Sequence, residues 1–141
     1  MRIPDANVLL YASDKSSRHH SEAREWIERT LSAPEPVGFV LVALLAFIRI
    51  ATNPRIMGAP LAVSEAFDQV EEWLAQPPAT MLHPGGRHLA VCRNLLESSG
   101  TAGNLTTDAH LATIAIEHGA MLASFDADFH RFSGLKLEYL G

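Results

Sequence analysis

The stretch GNLTTDAHLATIAIEHGAMLASFDADFHRF, residues 103–132, decides the fold. Apolar residues recur at helical spacing over 105–118, and His118-Gly119 is a typical helix end. Residues 120–124 then predict a short buried strand, and Asp126 follows it closely. A helix that leads directly into a short apolar strand is the unit from which a parallel sheet with helices on both faces is built.

The rest of the chain repeats this alternation. Further short strands are predicted over residues 1–5, 37–39, 80–83 and 135–140. Helices are predicted over 7–12, 19–31, 40–52 and 89–96, with another between Pro60 and Pro77. We therefore expect one α/β domain spanning residues 1–141, with a small, mainly parallel central sheet flanked by helices.

Composition places the chain among globular domains. Its 141 residues are 48% apolar and 19% charged, which suffices for a core and argues against disorder. The single cysteine, Cys92, cannot form an internal disulfide and fits a reducing cytoplasm. The N-terminus has no apolar stretch of the kind found in signal peptides, and the longest apolar run, 37–47, is too short to span a bilayer. These observations predict a cytoplasmic protein.

The net charge of −5 argues against a passive nucleic-acid binder, because such proteins usually present a basic face. It does not exclude a nuclease. Divalent cations neutralise an acidic site and can bridge it to phosphate.

Four aspartates are placed where chemistry is expected. Asp5 follows the first predicted strand, Asp126 follows the fourth, Asp128 comes two residues later, and Asp108 lies in the first turn of the 105–118 helix. Open α/β sheets place their sites outside the carboxyl ends of the strands. Carboxylates that converge there would repel one another without a cation, and oxygen ligands favour Mg²⁺ or Mn²⁺ over zinc.

Each of these residues also has a purely structural interpretation. Asp126 and Asp128 could form a turn, and Asp108 could complement the helix dipole. Asn7 could orient Asp5 by a hydrogen bond or could cap the following helix. The sequence leaves these alternatives open.

Other candidate residues are interpreted as structural. The seven histidines show no HExxH spacing, and the adjacent His19 and His20 would point in different directions, so capping and surface roles are predicted. Cys92, Trp26 and Trp73 fall on apolar helix stripes and are predicted to lie in the core.

An aspartyl phosphatase is the other enzyme class that an acid after the first strand suggests. A dehalogenase-type motif needs a second acid two residues after the nucleophile to act as a general acid. Asn7 occupies that position, and no acid is adjacent to Asp5. This alternative is therefore disfavoured.

Three segments resemble a known family over essentially the whole chain. PDANVLLYA at 4–12, LLAFIRIATNPRI at 44–56 and above all the 103–132 block are similar to PIN-domain ribonucleases. The specific likeness is to VapC-type toxins of bacterial VapBC toxin–antitoxin pairs.

The resemblance implies a PIN-like α/β/α sandwich and an endoribonuclease that depends on Mg²⁺ or Mn²⁺. It also implies a homodimer held inactive by a cognate VapB-type antitoxin whose tail approaches the acidic pocket. Asp5, Asp108 and Asp126 match the family's catalytic and metal-binding acids, and Asp128 is an accessory ligand candidate. Arg49 is a supporting candidate for contact with phosphate, the antitoxin or a carboxylate, and a salt bridge on its helix face is the structural alternative.

One departure from the family pattern concerns the central helix. Most PIN domains carry a glutamate where the closest alignment here places Ala46, and no acid occurs between Val37 and Gly58. Asp128 or a water could replace that ligand, or the subgroup could function without it. A third alternative is a catalytically weakened protein whose main role is to bind its antitoxin.

Overall fold

A computed structural model describes all residues, 1–141, and contains one five-stranded sheet in which every pairing is parallel. The strands are β1 (Arg2–Pro4), β2 (Val37–Val40), β3 (Ala79–Leu82), β4 (Met121–Ser124) and β5 (Lys136–Tyr139). Their order across the sheet is β3-β2-β1-β4-β5. The predicted parallel α/β sheet is therefore confirmed.

Six α-helices connect and cover the strands. They are α1 (Ala6–Ser13), α2 (His20–Leu31), α3 (Leu41–Ala51), α4 (Val63–Leu74), α5 (His88–Ser99) and α6 (Thr106–Glu117). None of them is long and apolar enough to cross a membrane.

The sheet separates two hydrophobic clusters. One is built around Leu111, Ile114 and Leu122 and contains buried residues of α5 and α6. The other is built around Trp26 and Phe47 and contains buried residues of α1, α2, α3 and α4. This division gives an α/β/α sandwich with helices on both faces, and it confirms the predicted core positions of Trp26 and Trp73, which are 1% and 6% exposed.

The sheet topology brings the ends of β1 and β4 together. β1 is the central strand and pairs with β4 in a register that places Pro4 beside Ala123. The backbone N–H of Asp5 continues this ladder by donating to the carbonyl of Ala123 at 2.9 Å. Because the strands are parallel, the residues that follow them emerge at the same edge of the sheet.

Close packing in the middle of the sheet depends on Gly38 of β2. A Cβ atom at this position would collide with Leu82 of β3 and would stand 3.2 Å from Cγ1 of Ile3 of β1. Both neighbours are buried, so the missing side chain lets the core close over β2.

The predicted elements differ from the observed ones chiefly at their ends. α5 was expected over 89–96 but extends over His88–Ser99 and ends at Gly100, whose φ of 75° is readily adopted only by glycine. Two 3-10 turns, Gly103–Leu105 and Ala127–Arg131, were not predicted. Both are single turns, too short to show an apolar periodicity.

Candidate functional site

Asp5 leaves β1 and begins α1 in a single step. Its backbone is extended, and its Oδ1 accepts a hydrogen bond from the N–H of Ala6 at 2.6 Å as the N-cap of α1. The carboxylate is thereby fixed at the carboxyl edge of the sheet.

Ser124, the last residue of β4, connects the acids. Its hydroxyl donates to Oδ2 of Asp5 at 2.7 Å and accepts from Nδ2 of Asn7 at 3.2 Å and from the backbone N–H of Asp126 at 3.0 Å. Nδ2 of Asn7 and the N–H of Asp126 can only donate, so the hydroxyl proton of Ser124 points to Asp5. Ser124 is 0% exposed, so this network is fixed by its burial as well as by its bonds.

Asn7 orients Asp5 through Ser124 and not by direct contact. Its amide oxygen accepts from the backbone N–H of Phe125 at 3.2 Å, while its Nδ2 donates to Ser124. Asp5 itself is the helix cap, so the predicted choice between orienting Asp5 and capping α1 is settled in favour of an indirect orienting role.

Asp126 starts the 3-10 turn that follows β4. Its Oδ1 accepts from the backbone N–H of Asp128 at 2.9 Å, which is the turn-forming role open to it in the sequence. Asp128 is exposed, and its Oδ1 lies 3.9 Å from Nε of Arg131. The turn therefore presents Asp126 towards the acid edge and Asp128 towards solvent.

Asp108 lies in the first turn of α6 and is influenced by the other three aspartates. Partial burial raises its pKa, and the negative charges of Asp5, Asp126 and Asp128 raise it further, to about 6. The sequence prediction that these four acids form one group is consistent with this mutual repulsion.

Asp5 is the most buried member of the group. Burial raises its pKa above the ordinary value, and the charge of Asp126 acts in the same direction, whereas the bonds from Ser124 and the N–H of Ala6 lower it. Burial is the largest of these effects, so an ionised Asp5 is held at an energetic cost that a cation would offset.

The remaining predicted site residues stand apart from this network. Arg49 is exposed near the end of α3 and makes no salt bridge within the chain, so a salt bridge on the helix face is not formed. Ala46, on the same helix, is partly buried. As the side chains stand, no three or more His, Cys, Asp or Glu residues are arranged to hold a metal ion.

Ser124 is the residue that sequence reasoning missed. The signal that could have identified it is a hydroxyl at the last position of an apolar strand, two residues before Asp126. A serine there is buried, so its hydroxyl must find partners inside the protein.

The histidine interpretation needs one correction, at His88. This ring is buried, with Nδ1 2.8 Å from Oε1 of Glu117 and Nε2 2.8 Å from Nδ1 of His110. It joins α5 to α6 and is not a surface residue. The sequence could not show this, because Glu117 and His110 are brought to His88 only by the packing of the two helices.

The chain matches the PIN domain family over residues 2–135. Among curated proteins, Ribonuclease VapC37 of Mycobacterium tuberculosis strain H37Rv is 45% identical over 136 residues, covering 96% of this chain and 94% of the relative. Ribonuclease VapC33 of the same strain is 43% identical, with 96% and 95% covered.

Solved structures share the fold at low sequence identity. The complex VapBC2 from Rickettsia felis, bound to a DNA fragment from its promoter, has a chain with a TM-score of 0.71 and 17% identity, with 98% of this chain and 97% of that one aligned. Mycobacterium tuberculosis VapC20, a Sarcin-Ricin loop cleaving toxin, has a TM-score of 0.69 and 14% identity, with 96% and 99% aligned. With most of its length matched in all of these comparisons, the chain belongs to the PIN-domain family and, within it, to the VapC-type proteins.

Proposed function

We propose that this chain is a VapC-type endoribonuclease toxin that cuts RNA with Mg²⁺ or Mn²⁺ bound at Asp5, Asp108, Asp126 and Asp128. The observation that carries the proposal is the Ser124 hydroxyl, which binds Oδ2 of Asp5 and the backbone N–H of Asp126 and so holds both acids at the carboxyl edge of the sheet. Burial, and after it the charges of Asp5, Asp126 and Asp128, raises the pKa of Asp108, which supports a shared acidic site. Its curated relatives bear the name ribonuclease.

The chemistry of the donor set suits a hard divalent cation, and binding one requires these carboxylates to move closer together than they stand in the structure. The four aspartates offer only carboxylate oxygens, which select Mg²⁺ or Mn²⁺ over softer metals. Asp5 and Asp126 would be the fixed ligands, since each is tied to Ser124 through its side chain or its backbone. Asp108 and the exposed Asp128 would complete the site from α6 and the 3-10 turn.

Each part of the chain has a defined task in this proposal. A bound cation would stabilise charge on the phosphate and favour ionisation of an attacking water. Ser124 keeps Oδ2 of Asp5 oriented, and Asn7 keeps Ser124 oriented. Burial and the three neighbouring acids raise the pKa of Asp108, so a bound cation would favour its ionised form.

The test combines metal uptake with cleavage. Titration of Mn²⁺ into the protein is followed by calorimetry, and cleavage of structured RNA is assayed with and without EDTA. We expect Asp5→Asn to abolish both signals, while Asp68→Asn, which removes an exposed acid on α4, should leave both intact. Cleavage that persists in Asp5→Asn and in EDTA would exclude the metal–aspartate mechanism.

A binding role is the second candidate, because Ala46 stands where the family usually has a glutamate. In that case the PIN fold would serve to bind a VapB-type antitoxin without cutting RNA. Tight antitoxin binding combined with no Mn²⁺ uptake and no growth arrest on expression would favour it over catalysis.

We also propose a cognate VapB-type antitoxin as the protein partner, together with a cytoplasmic homodimer. Support comes from similar solved structures, which are of VapBC complexes from Rickettsia felis, Haemophilus influenzae and Salmonella typhimurium. Sequencing of the neighbouring DNA shows whether a short reading frame lies next to this gene, and co-expression with its product, followed by light scattering, tests the partner and the dimer together. A chain that purifies alone as a monomer contradicts both.

A further inference from the structure

Three aromatic rings form a triangle that includes Phe125, the residue between Ser124 and Asp126 in the chain. Phe125 lies 4.6 Å from His19 and 5.2 Å from Tyr11 between ring centroids, and the rings of Tyr11 and His19 are 5.3 Å apart. The members come from α1, from the residue before α2 and from the residue after β4. We call these three residues the aromatic triangle.

The triangle is anchored to the candidate active site by Phe125. This residue stands between Ser124 and Asp126 in the chain, so its Cα lies about 3.8 Å from each of theirs. Its backbone N–H donates to Oδ1 of Asn7, the same side chain that holds Ser124. A shift of the Phe125 ring would therefore displace the backbone that carries Ser124 and Asp126. A shift of the acid network would likewise displace the ring.

The rings of the triangle are only partly buried. Tyr11, His19 and Phe125 each keep some exposed surface, in contrast to the neighbouring pair Phe129 and Phe132, which are 1% and 3% exposed. Phe125 also packs against the cluster of Trp26 and Phe47, so this residue belongs partly to the core and partly to the surface.

A cation stands at the rim of the triangle. Nε of Arg18 donates to Nε2 of His19 at 3.2 Å, and Arg18 is exposed. A guanidinium beside exposed rings can contact a phosphate or lie flat on a base. Positive charge at this point also counters the repulsion between the aspartates and the RNA backbone.

We propose that the aromatic triangle is a stacking site for an unpaired nucleobase of the RNA, next to the phosphodiester held at the acid group. This inference rests on the proposed ribonuclease function and adds a base-binding site to it. Proteins that recognise single-stranded RNA commonly stack splayed bases on aromatic rings and on arginine. Here the ring surface and the acids are joined through one short segment, 124–126, so base and phosphate would be positioned together.

RNA affinity is measured in a variant that does not cleave the RNA. In an Asp126→Asn background, binding of a fluorescein-labelled, unstructured RNA is followed by anisotropy in the presence of Mg²⁺. Stacking is followed separately with an RNA that contains 2-aminopurine, whose fluorescence falls when it stacks on an aromatic ring. Tyr11→Leu and Phe125→Leu remove one ring each, whereas Tyr11→Phe and Phe125→Tyr keep it.

We expect the two ring-removing variants to bind RNA about 10-fold more weakly and to lose part of the 2-aminopurine quenching. The two ring-keeping variants should bind RNA as tightly as the Asp126→Asn parent does. If these residues served only apolar packing, RNA binding would not require an aromatic ring at either position. Phe67→Leu is the matched control, because this partly exposed ring on α4 has no aromatic neighbour among the ring pairs of the chain. Circular dichroism confirms folding, and Tyr11→Leu suffices if Phe125→Leu does not fold.

Two results overturn the inference, and they are distinguishable. If the unaltered protein cuts RNA but folded ring-removing variants bind it with unchanged affinity, the triangle only pins the α1–α2 connection to β4. If the unaltered protein neither binds nor cuts RNA, the proposed function fails and this inference fails with it.

Discussion

Asp108 is the acid whose pKa is raised by its burial and, in addition, by the charges of all three other members of the group. Its pKa rises from an ordinary value of 3.8 to about 6 because of partial burial and then of Asp5, Asp126 and Asp128. Between these two pH values the folded protein binds more protons at this residue than the unfolded chain does. Without a cation, the folded state is therefore favoured at low pH and loses stability as pH rises through this window.

The first prediction concerns the variant Asp108→Asn in EDTA. It should reduce the pH dependence of stability between pH 4 and 6, leaving the part that comes from the raised pKa of Asp5. It should also stabilise the metal-free protein at pH 7.5 by about 1–2 kcal/mol, allowing for the screening of a half-exposed group. Urea unfolding at several pH values measures this. Equal losses of stability with pH in the variant and its parent would show that the repulsion at Asp108 is unimportant.

Ser124 orients Asp5 and also satisfies two hydrogen-bond donors, so its loss should affect both the site and the stability of the fold. Its removal would leave Nδ2 of Asn7 and the N–H of Asp126 without their shared acceptor and would deprive Oδ2 of Asp5 of its donor. We expect Ser124→Ala to lower the free energy of unfolding by about 1–3 kcal/mol and to weaken Mn²⁺ binding.

Ser124→Thr is the matched variant, since it keeps the hydroxyl and should retain most of the Mn²⁺ affinity. Calorimetric titration gives the affinity, and thermal unfolding gives the stability. If Ser124→Ala binds Mn²⁺ as tightly as the parent does, the hydroxyl has no part in positioning Asp5.

The acids also show why a site can be only partly predicted from sequence. The turn interpretation of Asp126 matches its bond from Asp128, whereas the cap of α1, which the sequence offered to Asn7, is Asp5. A residue's local role is readable from its neighbours in the chain. The approach of Asp5 and Asp126 to Asp108 and Ser124 depends on the pairing of β1 with β4 and on the packing of α6, which no local pattern encodes.

At the scale of elements, the stability of β2 is sensitive to any side chain added at Gly38. Gly38 allows the side chains of Leu82 and Ile3 to occupy the space where a Cβ would stand. Gly38→Ala should destabilise the protein by about 1–3 kcal/mol, because buried side chains on both sides would have to move. Gly86→Ala is the control, as a Cβ there meets nothing within 4 Å.

Thermal unfolding distinguishes the two glycine variants. A loss of 1 kcal/mol corresponds to about 2–4 °C in a domain near this size, so Gly38→Ala should melt several degrees below Gly86→Ala. Equal melting temperatures would mean that β1 and β3 relax around the added methyl group without cost.

The elements themselves were largely predictable because apolar periodicity and proline positions set them. α3, expected over 40–52, runs over Leu41–Ala51, and β5, expected over 135–140, runs over Lys136–Tyr139. The strand order β3-β2-β1-β4-β5 was not predicted. Short apolar strands have similar sequences, so their neighbours in a sheet are decided by the helices that cross over between them.

At the scale of the whole molecule, acidity and metal binding should be linked. The chain carries a net charge of −5, and part of its negative charge is concentrated at one edge of the sheet, where burial and repulsion raise the pKa values of Asp5 and Asp108. A cation that binds there would stabilise only the folded state, because the unfolded chain separates these acids.

The last prediction follows from this linkage. At pH 7.5, Mn²⁺ at about 100 times its dissociation constant should add about 2.7 kcal/mol to the free energy of unfolding, which is about 5–10 °C in melting temperature. The shift should shrink towards pH 5, since carboxylates must lose their protons to bind metal. Asp68→Asn should keep the full shift, whereas Asp5→Asn should lose it. The same shift in Asp5→Asn as in the parent would place the bound ion elsewhere on the molecule, and the acid edge would then be only an electrostatic feature of the fold.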